Sequence, residues 1–529
     1  MPKNALPYLR YLGCKAGSGD ATYCNNIDYN HVFMVDRTPT VVDASIISNA
    51  SCAADYSLCD RDAASGSNWT TVVIGGMGIG GANRNASDVC AQGAAGTCIK
   101  TPVAGVGWSS YFALDVKDPA NPKYMWEFSG DPASGNYLGA TITGPAVIRV
   151  KATGTATKGD DYKNGKWFAI FASGSTGPID LGKHQFMGTS DQNLKLFIVD
   201  LKSGTLLRTI NTGIANAFAG NLSTAMIDTD RSDSTRTGYY SDDAVYIGYV
   251  QKDTSVIPNT WTKGGVIRLV TKDNPDPAQW AVSTVIDEIG PVTSSVTKLQ
   301  DRKNSTLWLF FGSGRYFYKN DDPATSVQQV LYGIKEPCYA TVDRFERTSY
   351  ANIAGGSKND IDPTCSTSTA SGGSGLTDQS GDISTAPQEK LNVKADGWKV
   401  SLDAATTSSL AERVITDPVA LTNGNVFFTT FKPSADICKF GGESLIWALK
   451  YDTATAPPAR TMQGTALMQV STGAFAEVKM SDAFKNPGNL RLDGRRLAVP
   501  IQGVPPTAQG LSLIVNPPPV KRFLHVREK

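Results

Sequence analysis

One short unit keeps returning along this chain and limits what it can fold into. An alternating apolar strand runs into aspartate, then two or three small or turn residues, then a second strand. It reads FALDVKDPANPKYMWEF at 112–128, LFIVDLKSGTLLRTI at 196–210, IRLVTKDNPDPAQWAVSTV at 267–285 and WALKYDTATAPPAR at 447–460. The pairs Asp118–Pro119, Ser203–Gly204 and Asn274–Pro275 are turn chemistry and predict hairpins between antiparallel strands. Such a unit cannot bury both faces alone, so repeats must stack. At roughly 40–50 residues each, residues 31–459 hold about six to eight of them. The fold class this predicts is all-β: a modified β-propeller of antiparallel strands with long inserted loops.

Composition agrees and excludes several classes of function. Charged residues make up 19% of the chain and glycine numbers 51, the mixture that many short strands and turns require. A net charge of +1 supplies no field to hold nucleic acid or anionic lipid. No apolar run reaches the ~18 residues of a membrane-spanning helix, so no membrane insertion is expected. The first residues lack the apolar core of a signal peptide, so export is expected to depend on something outside this sequence, or Met1 begins a fragment.

Residues 1–30 read as a lead-in, 31–459 as the propeller and 460–529 as a C-terminal extension ending in a proline-rich tail. Residues 45–65, 80–105 and 354–390 look like excursions. The last is too poor in apolar residues to pack alone and is predicted to be a flexible insertion. Helical periodicity is scarce, with one or two turns expected over 407–414.

Of the nine cysteines, eight fall in successive pairs, two of these pairs inside the 45–65 and 80–105 loops; none has C-x-x-C spacing, and His31, His184 and His525 are too few to complete a metal set. The order predicts the staples Cys14–Cys24, Cys52–Cys59, Cys90–Cys98 and Cys338–Cys365 in an oxidising compartment, with Cys438 left over. Pairing of Cys365 with Cys438 is the alternative for the last of these.

The string WLFFGSGRYFYKN at 308–320 carries an apolar strand, a glycine break and then Arg315 among three aromatic residues. An arginine so placed can fork to backbone carbonyls and stack on rings, clasping one strand end to its neighbour. The same string resembles the FG-x-GRYF signature of PilY-type proteins, the tip and biogenesis factors of bacterial type IV pili. Further strings resemble theirs in the same order: HVFMVDRTPTVVDA at 31–44, with Arg37 where glycine is usual, FIVDLKSG at 197–204, VFFTTFKPS at 426–434 and GESLIWALKY at 442–451. The resemblance implies a propeller of about seven blades, the C-terminal domain of such proteins. It further implies a place outside the cell at the pilus tip and docking to minor pilins, so favouring pilus extension, with surface adhesion as a second role. Adhesive specificity would then lie in a further segment, in a separate N-terminal adhesive chain or in the inserted loops.

The candidate ligand set is Asp228, Asp230, Ser232, Asp233 and Asp243. Alternating carboxylates in a tight loop present oxygens to one centre, as calcium requires, and the resemblance implies a calcium loop at this position. Residues 235–241 interrupt the pattern, so weak binding at ~10⁻⁴–10⁻³ M is expected; a solvated acidic turn is the competing reading. The run GGMGIGG at 75–81 has no helix after it to face a phosphate and does not read as a nucleotide loop. No catalytic residue is assigned. The alternative function is a quinoprotein-like propeller oxidoreductase, which would want a catalytic Asp beside calcium and regularly spaced tryptophans.

Overall fold

The computed structural model describes residues 2, 3, 6 and 34–514, apart from 62–67, 82–108, 154–161, 177–178, 181–184, 230–239, 258–259, 302, 319–320, 322–326, 343–357, 363, 382–392, 437–440, 459–460, 463, 471, 485–493, 498 and 504. Antiparallel meanders follow one another along the chain. The first sheet is Thr40–Ala44, Thr70–Gly76, Tyr111–Asp115 and Lys123–Phe128. The second is Ala146–Val150, Lys166–Ala172, Lys195–Asp200 and Leu206–Asn211. In the third, Ala217–Ala219 and Met226–Ile227 share one edge of Ala244–Asp253, followed by Thr260–Val270 and Ala281–Ile286. The fourth runs Thr297–Asp301, Thr306–Gly312, Val330–Lys335 and Gly397–Ser401, with Thr377–Asp378 added in parallel. The fifth joins Arg413–Val414 and Val419–Ala420 to Asn425–Pro433, Gly442–Lys450 and Ile501–Gly503. A sixth, three-stranded sheet is built from Thr465–Val470, Phe475–Lys479 and Pro506–Ile514.

Why the strands are apolar without a break follows from how these sheets stack. Successive side chains of a strand point to opposite faces. In Lys166–Ala172, Trp167, Ala169 and Phe171 pack with Ile74 and Tyr111 of the first sheet. The intervening Phe168 and Ile170 pack with Val245, Ile247 and Ile267 of the third. The pattern repeats further on. Leu307, Leu309 and Phe311 meet Tyr246 and Val266, whereas Trp308 and Phe310 meet Val426, Phe428 and Trp447. Each middle strand is therefore buried on both faces, which a half-exposed alternating strand could not be. Phe171 shows the density: its ring lies 4.3 Å from Tyr111, 5.4 Å from Phe128 and 6.2 Å from Trp126 between centroids. Truncating a ring so enclosed costs about 3–5 kcal/mol.

Polar tips of the large aromatic residues bridge neighbouring sheets, as burial demands. Trp126 Nε1 donates to Leu201 O at 2.7 Å, and Trp398 Nε1 to Tyr451 O at 2.8 Å. The turn residues do what their chemistry suggests. Gly204 closes the hairpin between Lys195–Asp200 and Leu206–Asn211 at φ 74°, and the Trp126 ring covers the space a side chain there would fill.

Three expectations change. Two elements read as part of the C-terminal extension join the sheets: Ile501–Gly503 pairs with 442–444 to complete the fifth sheet, and Ala466 and Met468 of the sixth pack on Phe427, Ile446 and Ala448. The sixth sheet buries mainly one face, so its strands alternate, with Ala466 and Met468 inward, instead of being apolar and buried at every position. Within 354–390, the described residues 358–362 and 364–381 are folded. Backbone bonds do the work of missing apolar side chains: Thr369 N donates to Val285 O at 2.7 Å, Gly372 N to Asp287 O at 2.9 Å and Gln379 N to Lys399 O at 2.8 Å. Over 407–414 there is no helix; Arg413–Val414 is drawn into a strand by Asn425–Pro433, a tertiary pairing that outweighs local preference. The one α-helix among the described residues is Met480–Ala483. No helix among them is long and apolar enough to cross a membrane.

Candidate functional site

Charge gathers at several places in this frame, among them the Arg315 clasp, the acidic loop after residue 227, the Arg268–Glu336 pair and a cavity where the sheets converge.

Arg315 follows the strand Thr306–Gly312 and is 3% exposed. Its Nε faces both oxygens of Asp321 at 3.0 and 3.1 Å, Nη1 donates to Gly188 O at 3.0 Å and Nη2 to Met187 O at 2.7 Å. The guanidinium also lies 5.1 Å over Phe317. Gly188, at φ 57°, has no side chain to obstruct Phe317, whose ring would sit 2.4 Å from a Cβ there. A second buried arginine, Arg413, donates to Arg315 O at 3.1 Å and to Asp321 O. Every direction of the Arg315 fork is filled, so the group fastens the 312–321 loop to residues 187–188 and to the fifth sheet.

Of the proposed calcium ligands, Asp228 and Asp243 are described; Asp230, Ser232 and Asp233 lie outside the described residues. Asp243 Oδ2 accepts from Thr229 N at 2.7 Å and Thr229 Oγ1 at 2.8 Å. Asp242, next to it, accepts from Arg149 N at 2.8 Å. Arg149 in turn donates to Tyr240 O at 2.7 Å and to Lys163 O at 2.7 Å, pinning the end of the loop.

Cys52–Cys59 and Cys338–Cys365 are disulfide-bonded. Cys14, Cys24, Cys90, Cys98 and Cys438 lie outside the described residues. The second bond holds a charged network: Arg268 pairs with Glu336 and donates to Thr367 O, while Glu336 accepts from Cys338 N at 2.8 Å. Burial raises the Glu336 carboxyl above its ordinary range, and Arg268 opposes this. In the glycine run, Gly75 and Gly76 belong to a strand, and the Phe112 ring would meet a Cβ on Gly75 at 2.4 Å. Close packing accounts for the glycine.

The cavity was not legible in the sequence. It measures about 540 Å³ and is lined by residues that lead into, or form, the first strands of successive sheets: Asp36 to Thr40, Ile142 and Thr143, Ala219 to Asn221, Ser223 and Thr224, Thr293, Ile415 and Asp417, with Pro505, Pro506, Tyr316 and Phe317 closing it. Those first strands are sheet edges, so the cavity marks the axis around which the sheets are arranged. Asn221 is its hub. Its Nδ2 donates to Asp417 Oδ2 at 2.8 Å, its Oδ1 accepts from Gly144 N at 2.9 Å, and its N donates to Thr293 O at 2.9 Å. Asp417 also accepts from Ser295 N at 2.6 Å. Burial pushes its carboxyl up to about 6, against the pull of those hydrogen bonds and of Arg37 and Lys298. Burial likewise lowers Lys298 to about 8, opposed by Asp242 and Asp417. The one sequence signal was Arg37 itself, a long cation in a segment of small residues.

Stacked antiparallel meanders around an axial cavity define a propeller-type protein. Residues 103–349 match the family model described as the PilY1 beta-propeller domain. The type IV pilus biogenesis factor PilY1 of Pseudomonas aeruginosa (strain UCBPP-PA14) is 24% identical over 325 residues, 58% of this chain and 21% of that protein. A PilY1 homolog of Xylella fastidiosa (strain Temecula1) is 24% identical over 516 residues, 91% of this chain and 26% of that protein. The chain thus spans about a quarter or less of these relatives. The crystal structure of the P. aeruginosa PilY1 C-terminal domain has the same fold, with a TM-score of 0.50 at 18% identity, over 94% of this chain and 87% of that one.

Proposed function

We propose that this chain is the assembly-promoting domain of a type IV pilus biogenesis factor, acting outside the cell by docking to minor pilins and not by catalysis. The observation that carries the reading is the match of residues 103–349 to the PilY1 propeller, with relatives named as pilus biogenesis factors aligned along most of the chain. The architecture suits it physically, because stacked sheets give a rigid frame whose loops form two broad faces for partners. Adhesion to surfaces is a second role of those loops, with target specificity supplied by another segment or chain. Asp228, Asp230, Ser232, Asp233 and Asp243 form a weak calcium site that stiffens one such loop.

The test is a pull-down of purified minor pilins by this chain, with calcium and with chelator. Capture in both conditions, stronger with calcium, is expected. No capture in either, together with dye reduction dependent on pyrroloquinoline quinone, would favour the oxidoreductase reading instead.

A further inference from the structure

We propose that the axial cavity binds a carboxylate, gripped by the Arg37 guanidinium. This stands apart from the pilus reading and rests on the cavity alone.

Arg37 enters the cavity wall with its bonding capacity unfilled. Nη1 donates to Thr38 O at 2.6 Å, and Nη2 reaches Ser223 Oγ only at 3.4 Å. Its Nε is buried and has no partner among the described residues. A guanidinium offers five N–H donors in one plane; Nη1 and Nη2 each carry a second N–H beyond these two contacts, so the Nη1–Nη2 edge remains for an acceptor. Asp417, also on the cavity wall, is hydrogen-bonded to Ser295 N and Asn221 Nδ2 and makes no hydrogen bond to Arg37. Bare backbone clears the path of the arginine. A Cβ on Gly144 would stand 2.2 Å from Nη2 and 1.8 Å from Ser223 Oγ, and one on Gly76 would stand 3.1 Å from Cδ. Neither glycine has a left-handed φ that would require it for a turn.

The chemistry of the ligand follows from the donor. A planar fork matches the two oxygens of a carboxylate, and Ile142, Phe317 and Pro505 give the cavity an apolar wall beside it, while Asp36 and Asp417 also line it. About 540 Å³ accommodates a small diacid or the last residue or two of a peptide. Both sources present the same group, a carboxylate on a short apolar stem.

Calorimetric titration separates them. The probes are succinate, an alanine tetrapeptide with a free C-terminus, and the same peptide as its C-terminal amide. Wild type should bind succinate, the free-acid peptide or both, with the amide at least tenfold weaker than the acid. Arg37→Gln should weaken whichever probe binds by at least tenfold while its melting temperature stays near that of wild type. Arg37→Lys, which keeps the charge and loses the fork, should recover only part of the affinity and serves if the Gln variant does not fold. Binding of succinate alone assigns a free metabolite; binding of the peptide acid alone assigns a chain terminus. Absence of binding by any probe, equal binding of acid and amide, or unchanged affinity in both Arg37 variants overturns the proposal.

Discussion

Arg315 and Arg37 are the same side chain in two different states of completion. Arg315 is closed: a carboxylate, two carbonyls and a ring occupy its whole plane, and it is 3% exposed. Arg37 is open, with one firm bond, one long contact and a buried Nε without a partner among the described residues. Burial of a cation therefore does not by itself indicate a site. What matters is how many of its donors the fold has already used, because a filled fork can only hold structure and an unfilled one can receive a ligand.

The comparison is sharpened most by removing the closed arginine. Arg315→Ala should lower unfolding free energy by about 2–4 kcal/mol, since it strands the Asp321 charge and two buried carbonyls. Arg315→Lys should recover little, because an ammonium cannot serve three directions in one plane. Denaturant melts of both variants measure this, and wild-type midpoints in both would mean the clasp holds nothing.

A second element of the frame should respond almost as strongly. Replacing Cys338 and Cys365 with serine frees the segment whose Thr367 O accepts from Arg268. The loop-closure argument puts the loss at about 3 kcal/mol. Hydrogen exchange should rise first in the backbone bonds of Thr369 and Gly372, with the cavity unaffected. Faster exchange at Asn221 and Thr293 would show that frame and cavity are not separable.

The cavity has its own signature in pH. Asp417 binds a proton more tightly in the folded chain, at about 6, than at its ordinary 3.8. Stability should therefore fall as pH rises from about 4 to 6 and stay down above that, by at most about 3 kcal/mol. Asp417→Asn should flatten that part of the profile. A variant that keeps the wild-type slope would move the effect to another group.

Calcium should act least. If the acidic loop binds at ~10⁻⁴–10⁻³ M, millimolar metal raises stability by about 1 kcal/mol, and Asp228→Ala should cancel the gain. Equal melting with calcium and chelator in wild type would leave Asp228 and Asp243 as an ordinary turn.

How much of this could be read in advance depends on sequence distance. The strand at 307–311 was legible because Leu307 to Phe311 are apolar at every position, and only sheets covered on both faces require that; Phe168 to Phe171 carry the same signal. Cys52 with Cys59 and Cys338 with Cys365 were legible because each pair closes one loop. An arginine at a strand end was visible too, but Gly188, 127 residues away, was not. The cavity was harder still: Arg37 meets Ser223 across 186 residues and Asn221 meets Asp417 across 196. No local pattern marks such residues, since only closure of the sheets brings them together. The sixth sheet was missed for a related reason, as its strands bury one face mainly against Phe427 and Ile446.

The most direct test crosses the two arginines on the same three proteins: wild type, Arg315→Ala and Arg37→Gln. Unfolding free energy and affinity for the better of the two carboxylate probes are measured on each, at a temperature where all are folded. The account expects Arg315→Ala to lose stability and keep binding, and Arg37→Gln to keep stability and lose binding. If instead each variant loses both properties to the same degree, the closed and open arginines do not have separate roles, and the distinction drawn from their hydrogen bonds fails.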